Sequence, residues 1–309
     1  MRIAVTGAFG YSGRYIAQRL LEGGHTVITL TNSCERENPF GGRISAFPFH
    51  FDQPTRLRES LQGVDVLINT YWVRFTHPGF NHDEAVRNTR TLFQAAAEAR
   101  VKRIIHLSIT NPDIQPDLPY FRGKAELELA LKGLGVSYCI MRPTVLFGKE
   151  DILLNNIAWS LRRFPVYGLF GTGDYKLQPI YVDDLASAVV EKCAGNTNEV
   201  VNAIGPETFT YRELVETVRQ TLGLRRLVIS VPPELGFLAC RLIGLFVRDV
   251  VITRDEIRGL MENRLYVDAA PLGATRLTTW ITGHRDTLGR RYTSELARRI
   301  DRKSSYRSN

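Results

Sequence analysis

Between Arg2 and Arg142 the chain alternates two rhythms. Short apolar runs of strand length are followed by segments whose apolar residues recur every three or four positions, the helical period. The runs predict strands at Ile3–Val5, Thr26–Leu30, Ala46–Phe51, Val64–Asn69, Arg103–Ser108 and Ser137–Met141. Helical spacing holds at Tyr15, Ile16, Leu20 and Leu21, and over Thr55–Leu61, Asp83–Ala99 and Pro119–Leu131. This alternation predicts an α/β fold: a doubly wound parallel Rossmann sheet, covered on both faces, with its ligand crevice at the carboxyl ends of the strands.

After Gly148 the rhythm changes. A helix over Asp151–Arg163 and a Gly-rich loop (Gly168, Gly171, Gly173) lead to the segment Lys176–Val182. Another helix opens at Asp183-Asp184, where carboxylates suit a helix N-terminus. Thr210–Leu222 and Thr253–Met261 predict two more, each opening on Thr. The expected organisation is a dinucleotide-binding core over 1–148 and, over 149–309, mainly a small C-terminal α/β substrate lobe with a basic tail. Leu235–Val247 is the most apolar stretch, but it contains Arg241 and falls short of the ~20 residues a membrane span needs. It reads as a helix covering a substrate cleft, with a membrane-surface helix as the alternative.

The first strand runs straight into Thr6-Gly7-Ala8-Phe9-Gly10-Tyr11-Ser12-Gly13-Arg14. Glycines permit a tight turn and a close approach of the backbone to a pyrophosphate, and the helix start supplies N–H donors and positive potential. The spacing is GxxGxxG rather than GxGxxG, so its weight comes from its place between a strand and a helix. NAD-binding units carry a carboxylate at the end of the second strand for the ribose 2′-hydroxyl. Here that place reads Thr31-Asn32-Ser33, with no carboxylate before Glu35, and Arg14 and Arg36 are candidate counter-charges for a 2′-phosphate. Charge therefore favours NADP(H), with NAD(H) still possible.

Ser108 ends the fifth strand, and Tyr120-Phe121-Arg122-Gly123-Lys124 places a phenol and an ammonium one helical turn apart on the next helix. A tyrosine titrating near ~10 is a poor base unless a neighbouring cation lowers its pKa. Ser108, Tyr120 and Lys124 are thus the candidate catalytic set: Ser108 and Tyr120 hold a substrate oxygen, and Lys124 also holds the nicotinamide ribose.

Four segments together resemble the atypical and extended short-chain dehydrogenase/reductases, in particular the branch of the complex I nucleotide-binding accessory subunit. They are the glycine turn; Ile105-His106-Leu107-Ser108 with Tyr120 to Ala125; Arg142 to Gly148 with Glu150-Asp151; and Gln178 to Asp184. The resemblance implies an NAD(P)-binding, epimerase/dehydratase-like protein. It implies cofactor contacts at Thr6, Gly7, Phe9, Gly10, Tyr11, Gly13, Arg14, Thr31, Asn32, Ser33, Asp52, Asn69, Thr70, Tyr71, Lys124 and Pro143, with Asp52 on the adenine. Asn88 resembles the helix asparagine of extended members. Ser108 and Tyr120 are only 12 residues apart, whereas catalytic extended members have a far wider gap. The short gap matches the complex I-like branch. Two functions follow: an oxidoreductase or epimerase-like enzyme transferring hydride at a substrate hydroxyl or carbonyl, or a non-catalytic NADP(H)-binding redox sensor or accessory protein of a respiratory complex.

Composition adds the setting. Forty basic against thirty-two acidic residues give +8, with Arg290, Arg291, Arg298, Arg299, Arg302, Lys303 and Arg307 crowding the end. No nucleic-acid motif accompanies that tail, so it reads as a solvated helix end. Cys34, Cys139, Cys193 and Cys240 are scattered, without C-x-x-C or His at ligand spacing. They fit reduced thiols, with neither disulfides nor a metal site. Met1-Arg2 leads directly into the first strand, so no signal peptide is expected. The expected setting is cytoplasmic, with peripheral membrane or protein-complex contact possible and a small molecule as substrate. His106, inside an apolar strand, reads as a satisfied core histidine.

Overall fold

The computed structural model describes residues 1–114 and 118–303; Arg307 of the basic tail lies outside the described residues. The first ten elements are β1 (Arg2–Thr6), α1 (Tyr11–Glu22), β2 (Thr26–Leu30), β3 (Ser45–Phe47), α2 (Pro54–Ser60), β4 (Val66–Asn69), α3 (His82–Glu98), β5 (Arg103–Leu107), α4 (Pro119–Lys132) and β6 (Ser137–Pro143). There follow β7 (Leu146–Phe147), α5 (Leu153–Arg163), β8 (Val166–Phe170), β9 (Lys176–Leu177), β10 (Ile180–Tyr181), α6 (Val182–Glu191) and β11 (Glu199–Ala203). The rest are β12 (Phe209–Thr210), α7 (Tyr211–Thr221), β13 (Leu227–Val231), α8 (Pro233–Val247), α9 (Arg254–Met261), α10 (Leu277–His284) and α11 (Glu295–Ile300).

Two units are formed. The first holds Met1–Pro143 and Val182–Ala203, with Arg302 and Lys303; the second holds Thr144–Tyr181 and Ile204–Asp301. The first unit therefore ends its opening stretch at Pro143 rather than 148, and 182–203 belong to it rather than to the C-terminal lobe. Its seven strands lie in the order β11-β6-β5-β4-β1-β2-β3, every pair parallel, which is the doubly wound Rossmann order. Because both faces are covered, the central strands read as unbroken apolar runs: Ile3, Ala4 and Val5, and Leu67 and Ile68, are fully buried. The α3 stripe Leu92, Ala95 and Ala96, with Ala99 at the cap, joins Leu127, Leu131 and Ile104 in one core cluster.

One buried cation anchors the sheet. Arg103, 2% exposed, donates to the Lys192 carbonyl (2.9 Å), Ser137 Oγ (2.6 Å), the Thr197 carbonyl (3.1 Å) and Glu199 Oε1 (3.3 Å). A buried guanidinium needs such a set, since its desolvation is otherwise uncompensated. Arg19 of α1 clamps Asp183 of α6 with two bonds of 2.6 and 2.8 Å, which gives the first carboxylate of Asp183-Asp184 a task beyond its place in the first turn.

The second unit carries three two-stranded pairs, β10-β7, β12-β9 and β13-β8. Its core includes Leu154, Ile157, Leu169, Leu214, Val218, Trp280 and Ile281. Thr210 and Thr253 each complete a capping box, with Glu213 and Glu256. Asp151 accepts from the Leu153 and Leu154 amides (3.1 and 2.6 Å) at the start of α5.

Three expected elements differ. The third strand stops at Phe47, because Pro48 cannot continue the ladder. Phe49 and Phe51 instead stack on each other at 4.6 Å and both meet Tyr71. Gly168, expected in a loop, lies inside β8 opposite Ile229 of β13; Gly171 and Gly173, both at positive φ, do turn the chain. The reading of Leu235–Val247 as a cleft cover does not match the packing of α8, whose Leu235, Leu238, Leu242, Leu245 and Phe246 are all exposed.

Candidate functional site

The glycine turn is built by contact. Gly7 takes φ +65°, and its carbonyl accepts from the Gly10 amide at 2.8 Å. A Cβ on Gly13 would overlap the Gly7 carbonyl oxygen and lie 2.8 Å from the carbonyl carbon. Backbone cannot swing away as a side chain can, so the turn closes this tightly only with glycine at 13. Thr29 accepts from the Ala8 amide (3.0 Å) and donates to the Val5 carbonyl (2.8 Å), fixing the turn to β2. Gly10 caps α1 without a side-chain bond, and the first turn holds no acidic residue. The opening amides of a helix have no intrahelical acceptor, so this end offers donors to an anion. Phe9 is buried against Phe40, Tyr11 meets Tyr15 edge-on, and Arg14 is half-buried in the first turn.

The sheet reverses between β1 and β4, and their carboxyl ends are laced together. Thr6 Oγ1 donates to Asn69 Oδ1 (3.1 Å) and accepts from the amides of Thr70 (2.7 Å) and Tyr71 (3.0 Å). Thr70 Oγ1 donates back to the Thr6 carbonyl. Asn69 Nδ2 donates to His106 Nδ1 at 3.1 Å. Thr6 and Asn69 are fully buried, so their side chains lace the carboxyl ends of β1 and β4 from beneath. Asn88 donates to the Tyr71 hydroxyl at 3.1 Å. His106 is core as expected but only half satisfied: Nε2 is buried without a partner among the described residues, and burial holds its pKa well below the usual value.

At the end of β2, Thr31 is buried and accepts from the Ser33 amide (3.0 Å), while Asn32 is exposed and Ser33 half-buried. Arg36 is buried, with its amide on the Ser33 carbonyl at 3.0 Å. Asp52 is exposed beyond β3.

The most constrained residues lie on β5, α4 and β6. Ser108 Oγ is 2.6 Å from Glu128 Oε1, a carboxylate 2% exposed that Arg142 grips with Nε at 2.9 Å and Nη2 at 2.5 Å. A carboxylate has no proton to give, so Ser108 is the donor and its hydrogen is committed inward. Lys124, also buried, donates to the Leu107 carbonyl at 2.7 Å, with Nζ 4.4 Å from the Trp72 ring centroid. Burial lowers its pKa to about 7, opposed by the Glu128 charge. Tyr120 packs edge-on against Trp72, His82 and Phe121 at 5.6 to 5.8 Å. Gly123 is needed for that packing, because a Cβ would come 2.8 Å from the Trp72 ring. Pro143 ends β6, its carbonyl accepting from the amide and hydroxyl of Thr110 (3.0 and 3.1 Å).

The structure thus gathers Thr6, Asn69, Thr70 and Tyr71 into one network, joins Ser108 to Glu128 and Lys124 to Leu107, and seats Tyr120 among aromatics. Sequence reasoning missed Glu128. Its signal was available: Tyr120, Lys124 and Glu128 recur at i, i+4 and i+8 on one helix face.

A parallel sheet in the 3-2-1-4-5 order, with a glycine turn after its first strand and a serine and YxxxK at the carboxyl ends of its strands, defines a Rossmann-type protein of the short-chain dehydrogenase kind. The chain belongs to the NAD dependent epimerase/dehydratase family, whose sequence model matches residues 3–203. It is 26% identical over 239 residues to the mitochondrial NADH-ubiquinone oxidoreductase 40 kDa subunit of Neurospora crassa, covering 75% of this chain and 63% of that one. It is 28% identical over 229 residues to the mitochondrial NADH dehydrogenase [ubiquinone] 1 alpha subcomplex subunit 9 of Arabidopsis thaliana, covering 69% and 56%. The chain therefore spans less than two thirds of either relative. Triphenylmethane reductase of Citrobacter sp., solved complexed with NADP(H), shares the fold with a TM-score of 0.75 at 17% identity, covering 92% of this chain and 99% of that one. Among the described residues no helix is long and apolar enough to cross a membrane.

Proposed function

We propose that the protein binds NADP(H) along the Gly7–Gly13 turn and acts as an oxidoreductase at a substrate hydroxyl. The cradle that a Cβ on Gly13 would fill, the first turn of α1 free of acidic residues and the absence of a carboxylate over Thr31–Ser33 suit a dinucleotide with a 2′-phosphate. Backbone from Gly7 to Gly13 would hold the pyrophosphate, Thr31 to Ser33 with Arg14 the adenosine end, and Lys124 and Pro143 the nicotinamide end. When bound, the nicotinamide supplies or accepts the hydride.

One observation carries the choice of substrate group. With its proton committed to Glu128, Ser108 offers an incoming ligand only lone pairs, and therefore accepts from a hydroxyl rather than donating to a carbonyl. Tyr120 is the remaining group able to take or return the hydroxyl proton. Lys124, whose pKa burial lowers to about 7, would in its protonated form hold a ribose and favour the phenolate.

A second reading, a non-catalytic NADP(H)-binding accessory protein, is favoured by the packing of Tyr120 against three rings and by the respiratory-complex names of the two sequence relatives. Titration of the wild-type chain with NADPH and NADH, followed by single-turnover assays with NADP⁺ as oxidant on a panel of alcohols, tests both. The enzyme reading expects NADPH to bind more tightly and Tyr120→Phe to lose turnover at unchanged affinity. Tighter binding of NADH would refute the charge argument. No turnover by wild type with any alcohol, at intact NADPH binding, would leave the accessory reading.

A further inference from the structure

The helix α8 is built inside out. Its small residues Gly236 and Gly244 are buried: a Cβ on Gly236 would come 2.8 Å from the Phe170 ring of β8, and one on Gly244 2.6 Å from the Asp249 carbonyl oxygen. Cys240, between them at i+4 spacing, is half-buried. Five of its large residues point the other way: Leu235, Leu238, Leu242, Leu245 and Phe246 are 61, 52, 62, 78 and 80% exposed, while Phe237, Ile243 and Val247 are half-buried. At 100° per residue these five fall within one third of the helix circumference. The β8-β13 pair against which α8 packs adds Val166, Leu227 and Ile229, all exposed. An apolar surface of this extent is uncommon on a chain with nothing to cover it.

Charge selects the occupant. Arg241 flanks the stripe, Arg248 ends the helix in the left-handed conformation, and Arg225 precedes β13; all three are exposed and make no ion pair among the described residues. Glu234, the carboxylate of α8, is already paired with Arg254 at 2.9 Å. A second copy laid face to face would bring these arginines together without partners. A surface of anionic headgroups over an apolar layer matches both the stripe and its rim. Fifteen residues are too short to cross a bilayer of ~30 Å and suit a helix lying in its interface.

We propose that α8 docks this protein on anionic lipid bilayers, with the leucine stripe and Phe246 in the acyl boundary and Arg241 and Arg248 among the headgroups. The proposal stands independently of the cofactor chemistry. The test is co-flotation of the full chain with phosphatidylcholine vesicles, with and without about one third phosphatidylglycerol. Binding is expected to the anionic vesicles, weakening with salt. Leu242→Glu/Leu245→Glu is expected to abolish it, and Arg241→Glu to weaken it at least ~10-fold. Phe246→Trp keeps an apolar side chain at a surface position and is expected to show a blue-shifted emission with anionic vesicles alone. Three results overturn the proposal: no flotation with either vesicle, flotation untouched by the double substitution, or a stable dimer in sedimentation that Leu242→Glu/Leu245→Glu dissolves, which would assign the face to a second copy.

Discussion

Replacing Glu128 tests how much the first unit depends on a carboxylate hidden behind Ser108. The group receives three bonds, from Ser108 Oγ (2.6 Å) and from Arg142 Nε and Nη2 (2.9 and 2.5 Å). Bonds to charged groups contribute about 1.5–3 kcal/mol each, but three sharing one carboxylate do not add. Removing one partner of a buried ion pair typically costs about 3–5 kcal/mol. The Arg142 side chain is 27% exposed, so water can reach the stranded guanidinium, and the lower end applies. Glu128→Ala is therefore expected to destabilise by about 3 kcal/mol. Glu128→Gln, which keeps an acceptor for Ser108 and one for Arg142, is expected to lose about 1–2 kcal/mol. The assay is urea unfolding followed by near-ultraviolet dichroism, comparing midpoints at matched slope. A double-mutant cycle with Ser108→Ala should give a coupling above about 0.5 kcal/mol. An alanine variant within about 0.5 kcal/mol of wild type, or a glutamine variant as damaged as the alanine one, would refute the network.

Other outcomes follow from single contacts. Gly13→Ala is expected to lose dinucleotide binding by at least ~10-fold in calorimetric titration, together with about 1–3 kcal/mol of stability from the overlap with Gly7. Burial lowers the folded pKa of Lys124 from 10.5 to about 7. Between those values the unfolded chain holds a proton that the folded one has released, so stability rises with pH across that window. Lys124→Met should flatten this rise in Tm measured from pH 7 to pH 10. Asp151 has its pKa raised by burial from 3.8 to about 6, the opposite sign. There the folded chain binds the extra proton, and stability falls as pH climbs from about 4 to about 6. Asp151→Asn, an equally good helix cap, should remove that fall without loss of α5; a Tm profile unchanged from wild type would count against it.

Much of the first unit is legible in the chain because its central strands, such as β1 and β4, are buried on both faces and helices alternate with them. Thr26–Leu30 falls on β2 to the residue, and the threonines at 210 and 253 announce their helices through local capping alone. What escaped depends on distant partners. Glu128 on α4 looks like an ordinary surface carboxylate four residues from Lys132, and only the fold brings Ser108 and Arg142 to it from two strands. The strand β11 is a short run, Val200 and Val201, whose partner β6 lies some sixty residues earlier. Gly168 reads as a loop because glycine in a strand carries no local signal. The apolarity of α8 is plain in the sequence, but which face is outward is decided by Phe170 and Asp249, which only packing brings against its glycines.

The buried Arg103 has a consequence for synthesis. Three of its four acceptors, on Lys192, Thr197 and Glu199, are translated only after the chain has left the sheet at Pro143 and come back at Val182. At about 5–20 residues per second, a nascent chain spends roughly 3–12 s with β6 as an open edge and this guanidinium with Ser137 but not its later acceptors. The Rossmann unit is thus vectorially incomplete until the ribosome has passed Ala203. A chain released at Tyr181 should be a chaperone client prone to edge-to-edge aggregation, whereas one released just beyond Ala203 closes both the strand ladder and the charge.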